Sequence, residues 1–145
     1  MSVALLRHVN GLISDFAGEY GELDLVGRRI DCSMETYETV LETFEVFGVI
    51  GGAGVQLSDG DELLLVRYEG ADGWADPGDS RHPGESYADC ATRAVRESTG
   101  VRAVIDGIAQ MHLLYLDDPT DREPIPNPYI AFSGAYESGT LRPGD

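Results

Sequence analysis

Two charged side chains one helical turn apart are the strongest chemical signal in this sequence. Residues 83–101 read PGESYADCATRAVRESTGV, and within them Arg93 precedes Glu97 by four positions, with Glu85 upstream. On a helix, residues at this spacing lie on one face. The Glu97 carboxylate then either forms a surface salt bridge with Arg93, worth under about 1 kcal/mol, or serves as a ligand for a divalent cation.

The helix that positions this pair is predicted from its ends. Ser86 followed three residues later by Asp89 is similar to a capping box, and Gly100 is a typical residue after a last helical turn. We therefore expect a helix between these residues.

The same stretch resembles the signature of the Nudix family of pyrophosphohydrolases. That signature reads Gly, five residues, Glu, seven residues, Arg-Glu, an apolar residue, any residue, Glu-Glu, any residue, Gly and an apolar residue. The framework positions that match it are Glu85, Arg93, Val95, Glu97, Gly100 and Val101. The family's first Gly falls at Asp79. The resemblance covers the chain from about Val49 onward, because a strand ending in LLLVR and a Trp three residues before Pro-Gly also resemble the family.

Nudix enzymes hydrolyse a nucleoside diphosphate linked to another group, and the resemblance implies a divalent cation, Mg²⁺ or Mn²⁺, that neutralises charge on the cleaved diphosphate. The family's helix supplies carboxylates at the positions numbered 94, 97 and 98 here. This chain has Ala94, Glu97 and Ser98 there. One carboxylate of three remains, so the framework of the site is kept while most of its implied metal ligands are not.

Site residues can still be named from the resemblance. Glu97 is the one candidate catalytic residue, and Glu85 and the Gly78 carbonyl join it as candidate metal ligands. Arg93 and Gly100 are expected to shape the loop–helix–loop, and Arg67 and Trp74 are candidate ligand-binding residues. Three further side chains are potential substitute ligands: Asp79, His82 and Asp89.

Other possible motifs are weaker. Glycines 51, 52 and 54 do not continue into a dinucleotide-binding fingerprint, because the third glycine would fall at Leu57 and a hairpin follows. His8, His82 and His112 are too scattered to predict a metal site. A P-loop would require the lysine that this chain lacks. The two cysteines, Cys32 and Cys90, are expected to be free thiols, because no Cys or His has zinc-ligand spacing to them.

The elements around the site follow from hydrophobic periodicity and turn residues. Two helices are expected first, Val3 to Tyr20 and from Ser33 to Gly48, separated by a Gly/Arg-rich break at residues 21–29. A hairpin is expected at residues 49–68 and a loop at residues 69–80. After the helix of the quoted stretch come three predicted strands, at residues 102–108, 111–116 and 129–136, with a loop at 117–127 before the last.

Charge is the most unusual feature of the composition. There are 26 acidic and 10 basic residues, a formal net charge of −16, and all ten basic residues are arginine. Such a charge repels nucleic-acid backbones, so a nucleic-acid-binding function is not expected. Acid excess without lysine favours a protein adapted to a salt-rich cytosol, where the Debye length falls to about 3 Å near 1 M salt. No apolar run is long enough to span a bilayer, and no signal peptide is recognised.

The predicted fold is α+β, a Nudix-like mixed β-sheet with a loop–helix–loop box. We expect an N-terminal helical segment at 1–48 and a Nudix-like domain at 49–145 that lacks the family's usual last strand and helix. Either the fold is trimmed, or the N-terminal helices cover the face that these elements would otherwise protect, or a second subunit covers it in a homodimer.

The residues favour a domain that recognises a nucleoside diphosphate-type ligand with weak or no hydrolysis. The alternative is a divergent Mg-dependent pyrophosphohydrolase. The expected partner is a nucleotide-like small molecule, with no membrane partner.

Overall fold

The computed structural model of this protein describes residues 3–59, 62–66, 73–120 and 122–139. Three α-helices and six β-strands occur in these residues. In chain order they are α1 Val3–Tyr20, β1 Leu25–Asp31, α2 Met34–Phe47, β2 Gly52–Asp59, β3 Glu62–Leu64, β4 Gly78–Ser80, α3 Tyr87–Thr99, β5 Val101–Asp117 and β6 Ile125–Gly139. The predicted α+β class is confirmed.

The strands form a mixed sheet in which hydrogen bonding follows the order β1-β5-β6-β2-β3, with β4 also paired to β2. The chain divides into two compact units. The first combines Met1–Gly51 with Gln110–Tyr129, and the second combines Gly52–Ala109 with Ile130–Asp145. The long strands β5 and β6 contribute residues to both units.

The two helices expected in the first unit are present. The apolar stripe of α1 buries Leu5, Val9 and Phe16. The Ser33 side chain accepts a hydrogen bond from the Thr36 N–H and so caps α2. Gly48, in the left-handed conformation with φ 67°, ends that helix, as a residue without a Cβ does most easily.

The break expected at residues 21–29 is wrong in part, because it contains most of β1. This strand pairs in parallel with β5, from Leu25 beside Met111 to Asp31 beside Asp117. Arg29 strengthens the pairing with two 2.7 Å hydrogen bonds to the Asp117 carboxylate. The N-terminal segment is therefore helix–strand–helix and not two helices alone.

The second unit is built on β2, β4 and α3. Helix α3 packs on β2 and β4, and its Cys90, Ala91 and Val95 have no exposed surface. Strand β6 approaches its neighbours so closely at Gly134 that a Cβ there would lie 2.8 Å from the Val104 carbonyl oxygen. Only glycine fits at this position.

Three sequence-based boundaries are corrected in the sheet. The two strands expected at 102–108 and 111–116 are one strand, β5, because Gly107 to Gln110 stay in the ladder. The loop expected to end at residue 127 ends earlier, since β6 begins at Ile125 despite two nearby prolines. The loop expected at 69–80 ends in the short strand β4, whose Gly78 pairs with Gly54 of β2.

In the described part of the chain, no helix is both long and apolar enough to cross a membrane.

Candidate functional site

The stretch first singled out in the sequence forms β4, a turn and helix α3. The Ser86 hydroxyl accepts a hydrogen bond from the Asp89 N–H at 3.0 Å, which caps the helix as its sequence predicts. Gly100, with φ 79°, ends the helix, and its N–H donates to the Arg96 carbonyl. The predicted helix and its predicted structural residue Gly100 are therefore in place.

One guanidinium organises the polar side chains of this region. The Arg93 side chain is only 11% exposed and lies between the turn, β4 and its own helix. Its contacts with oxygen atoms are Nε to Glu85 Oε2 at 2.7 Å, Nη2 to Glu85 Oε1 at 3.1 Å, Nη1 to Asp79 Oδ2 at 3.0 Å, Nη1 to Glu97 Oε2 at 3.4 Å and Nη2 to the Ser80 carbonyl at 2.9 Å. We call these residues the Arg93 cluster.

Within the cluster, the pair of Arg93 and Glu85 is the strongest. The two hydrogen bonds are bidentate, and the Glu85 side chain is 13% exposed. The hydrogen bond from Arg93 holds the pKa of Glu85 at about 2, below its usual 4.5, although burial acts in the opposite direction. The His82 N–H donates a further bond to Glu85 at 3.0 Å and lowers the same pKa. Glu85 therefore remains ionised at any physiological pH.

Cys90 lies beside this cluster and is chemically quiet. Its side chain is fully buried, and its thiol donates to the Asp79 carbonyl at 3.4 Å. Burial raises the pKa of the thiol to about 11, so the reactive thiolate is scarce at neutral pH. Cys32 is also a free thiol, as expected for both cysteines.

The three helix positions where the resemblance implies metal ligands do not form a metal site. Ala94 is 2% exposed and offers no donor. Ser98 has a hydroxyl in place of a carboxylate, and the Glu97 carboxylate is directed toward Arg93. No group of three or more His, Cys, Asp or Glu residues that could hold a metal ion occurs in the part of the chain that the structure describes. Because Mg²⁺ requires several hard oxygen ligands, this set of donors does not fit it.

The remaining predicted site residues are placed as follows. Gly78 begins β4 and pairs through its backbone with Gly54. Trp74 is 66% exposed, and Arg67 lies outside the described residues. Among the side chains considered as substitute ligands, Asp79 joins Arg93, whereas His82 contributes its backbone N–H. His8 and His112 pack edge-on or tilted against aromatic rings in the first unit.

The role of Asp79 was not evident from the sequence. It occupies the position of the family's first Gly, and it gives Arg93 a third carboxylate partner at 3.0 Å. The departure from the signature was visible in the sequence, but the turn that brings residue 79 to residue 93 was not.

The chain resembles known proteins in sequence family and in fold. A family model described as the NUDIX domain matches residues 50–145. A NUDIX hydrolase from Nitrosomonas europaea has a TM-score of 0.51 at 20% identity, over 66% of this chain and 52% of that one. A search of curated proteins found no match.

Two further structures are more distant. A UDP-X diphosphatase has a TM-score of 0.48 at 19% identity, over 94% of this chain and 62% of that one. The MutT protein from Bacillus halodurans has a TM-score of 0.45 at 20% identity, over 65% of this chain and 61% of that one. The chain thus spans from about half to under two thirds of the length of these proteins.

Proposed function

Since this chain belongs to the Nudix family, whose domain model spans residues 50–145, we propose that it recognises a nucleoside diphosphate-type ligand and hydrolyses it weakly or not at all. The observation that carries this proposal is that one guanidinium, that of Arg93, binds the carboxylates of the loop–helix–loop box. Glu85, Asp79 and Glu97 all contact Arg93, and positions 94 and 98 supply no further carboxylate.

The charge balance of the cluster supports the loss of metal binding. Three carboxylates around one arginine leave two formal negative charges, but they are spread over separate side chains. Glu85 is held by two hydrogen bonds from Arg93 and one from a backbone N–H. To ligate a cation, this carboxylate would have to leave the partners that keep its pKa near 2. Glu97 alone supplies too few ligands for Mg²⁺, an ion that gives up its bound water reluctantly.

A divergent pyrophosphohydrolase is the second candidate, and one contact favours it. The Glu97 carboxylate is 57% exposed and its bond to Arg93 is long, 3.4 Å, so it is the most available acid of the cluster. The family generally uses Mg²⁺ or Mn²⁺, which would neutralise charge on the diphosphate when bound. In this second candidate Glu97 would be the residue that holds the cation.

The two candidates are separated by measuring binding and hydrolysis on the same protein. Calorimetry with a panel of nucleoside diphosphate derivatives, without divalent metal, is expected to detect at least one ligand. Release of nucleoside monophosphate from the same panel, with Mg²⁺ or Mn²⁺ at molar KCl, is expected to be near background. Metal-dependent turnover of about 1 s⁻¹ or faster, the lower range of ordinary enzymes, would establish the hydrolase instead. Absence of binding without metal together with absence of metal-dependent turnover, across the whole panel, would contradict both candidates.

Replacing the missing carboxylates tests the explanation itself. Ser98 is half-buried, so Ser98→Glu is expected to fold and, together with Glu97, to raise the affinity for Mn²⁺ measured by electron paramagnetic resonance. Ala94 is 2% exposed, so Ala94→Glu places a carboxylate in a buried position and is expected to lower the free energy of unfolding by about 3 kcal/mol.

Glutamine at each position is the matched control. Ser98→Gln should leave Mn²⁺ affinity unchanged, because the amide has the size of the carboxylate without its charge. Ala94→Gln should cost less stability than Ala94→Glu. The double change of both residues to Glu is expected to bind the metal most tightly in molar salt, since ligands of one ion act together. Equal Mn²⁺ binding by the wild type and Ser98→Glu would show that the missing carboxylates are not the reason for weak metal binding.

A further inference from the structure

Strand β1 is an edge of the sheet, and its outward side is exposed. It stands at the end of the strand order, beside β5 only, and no described strand pairs with its other side. Leu25 is 45% exposed, and Gly27, Arg28 and Asp31 are also exposed. Within the described ranges no strand therefore protects this edge, although protecting an edge is the common arrangement.

The hydrogen bonds to β5 show which peptide groups face outward. The Met111 N–H donates to the Asp24 carbonyl at 2.9 Å, and the Cys32 N–H donates to the Asp117 carbonyl at 2.8 Å. In a parallel ladder alternate residues point their peptide groups to the same neighbour. The even-numbered residues of β1 thus face β5, and the N–H and C=O groups of Leu25, Gly27 and Asp31 face away from it.

A pocket opens at the same edge. It has a volume of about 410 Å³ and is lined by Gly27, Arg28, Arg29, Tyr115 and Pro124. Because Arg29 lies beside Tyr115 in the register, Gly27, Arg29 and Tyr115 share one face of the sheet. The Tyr115 ring and Pro124 give this pocket apolar walls, whereas the Arg29 charge is already matched by Asp117. Such a pocket accepts an apolar side chain beside the edge.

Arg28 is on the other face of β1, where it lies beside Leu114 in the register. It forms no ion pair with any carboxylate in the described ranges, in a chain that carries 26 acidic residues. On that face its neighbours along the strand are Val26 and Ile30, both half-buried. A carboxylate from outside this chain, flanked by apolar side chains, is the group that complements this surface.

We propose that the outer edge of β1, Leu25–Asp31, binds an extended segment of a partner protein as an additional β-strand. One acidic side chain of that segment faces Arg28, and an apolar side chain on its opposite face fills the pocket at Tyr115 and Pro124. Main-chain hydrogen bonds then supply affinity and the alternating side chains supply specificity.

A second copy of this chain fits the edge less well. Two copies each carry a net charge of −16, which opposes their association. Antiparallel self-pairing about Arg28 would also place two Arg28 side chains directly opposite each other, and like charges opposed across strands are destabilising. The inference concerns β1 alone and does not depend on which ligand the Nudix domain binds.

The probe is a fluorescein-labelled nine-residue peptide with a central glutamate, valines at the two nearest positions of the same face and one phenylalanine on the other face. Fluorescence anisotropy with the full chain is expected to show at least about tenfold tighter binding than for the peptide with a central lysine. Equal binding of the two peptides would overturn the proposal.

Gly27→Pro is the decisive variant, with Gly27→Ala as its matched control. Proline removes the outward N–H at a position that makes no bond to β5, a place where an edge strand tolerates it. Alanine keeps this N–H, and its Cβ would meet the Tyr115 ring at an ordinary 3.4 Å. Proline should weaken peptide binding by about tenfold, and alanine by no more than about threefold. Arg28→Glu, which reverses the charge, should likewise weaken binding of the glutamate peptide by about tenfold, and Arg28→Lys, which keeps the charge, by no more than about threefold.

Three other outcomes count against the proposal. Binding by Gly27→Pro at wild-type affinity would remove the edge hydrogen bonds from the explanation. Should Gly27→Pro not fold, a probe N-methylated on its pairing side replaces it: loss of binding supports the edge and unchanged binding overturns it. A dimer seen by light scattering that Gly27→Ala keeps and Gly27→Pro abolishes would assign the edge to a second copy of this chain.

Discussion

Two arginines in this protein each gather carboxylates, but they are built in opposite ways. Arg93 is 11% exposed and holds the 13% exposed Glu85, whereas Arg122 is 38% exposed and holds Asp118, whose side chain is fully buried. In the Arg93 cluster the cation is the central buried group and is shared by three acids. Around Arg122 the anion is the buried group. The difference predicts which residue each region cannot lose.

The surroundings of Arg122 also differ in kind. Burial raises the pKa of Asp118, but hydrogen bonds from Thr120 and Arg122 outweigh this effect and lower it. The Arg122 guanidinium stacks over the Tyr37 ring at 4.3 Å, and the Tyr37 hydroxyl donates to the Glu123 carbonyl at 2.6 Å. This group closes a loop onto helix α2 and has no counterpart in the Nudix signature. An arginine surrounded by carboxylates is therefore not by itself a sign of a catalytic site.

Removing Arg93 is expected to have the largest effect on stability. Arg93→Met keeps much of the apolar stem but leaves Glu85 without its bidentate partner in a largely buried position. The expected loss in the free energy of unfolding is about 3 kcal/mol, measured by urea denaturation at neutral pH. Glu97→Gln is the control within the same cluster, because Glu97 is 57% exposed and should change stability by under about 1 kcal/mol. Equal effects of the two variants would contradict the central position of Arg93.

Acid should weaken the Arg93 cluster over a defined interval. The pKa of Glu85 is about 2 in the folded protein and 4.5 is its ordinary value, so on acidification the unfolded chain takes up the proton first. The stabilisation is therefore complete above about pH 4.5 and is lost as the pH falls toward 2. Urea denaturation at a series of pH values should show a wild-type decline in this interval that is smaller in Glu85→Gln. Parallel curves for the two proteins would show that Glu85 does not carry the acid sensitivity.

The sequence predicts the Arg93 cluster far better than it predicts the surroundings of Arg122. Helix α3 carries its own signals in Ser86 and Gly100, and the four-residue spacing of Arg93 and Glu97 predicts one contact of the cluster. These are local or near-local features, which a single sequence contains. By contrast, Tyr37 and Glu123 are 86 residues apart, and no local pattern predicts that contact.

Strand β1 was missed for a related reason. Its pairing with β5 joins Arg29 to Asp117, 88 residues away. Within residues 25–31 the structure leaves Val26 and Ile30 half-buried and their neighbours exposed. In the sequence this alternation is hidden by the consecutive arginines 28 and 29. Ala94 shows a further limit of prediction. The sequence shows that a carboxylate is missing at this position, but it does not show that the Ala94 side chain is only 2% exposed, which results from packing against the sheet. Long-range pairing and burial are tertiary properties, and the edge proposed as a docking site depends on both.

A smaller effect is expected for Tyr37, which joins the Arg122 loop to α2. Tyr37→Phe keeps the ring that stacks with Arg122 but removes the hydroxyl that donates to the Glu123 carbonyl. Loss of one such hydrogen bond should lower the free energy of unfolding by about 1 kcal/mol. Tyr37→Leu, which also removes the aromatic face, should lower it further. If Phe and Leu were equally destabilising, the cation–π contact would contribute nothing measurable.

Melting temperatures of the wild type should rise from low to molar KCl, because salt screens the self-repulsion of a chain with a net charge of −16.

The smallest effect of a substitution is expected for Glu38, which reaches Arg122 at 3.6 Å while its side chain is 59% exposed. Glu38→Gln should differ from the wild type by under about 2 °C at low salt, and by less at molar KCl, since an exposed pair is screened most. The difference between wild type and Arg93→Met should persist at molar KCl, because largely buried pairs are screened far less. A wild-type melting temperature that is flat or falls with KCl would refute the salt adaptation inferred from the composition. A Glu38→Gln difference that grows with salt would mean that this pair is not governed by screening, and that the contrast between the two arginines is not one of burial.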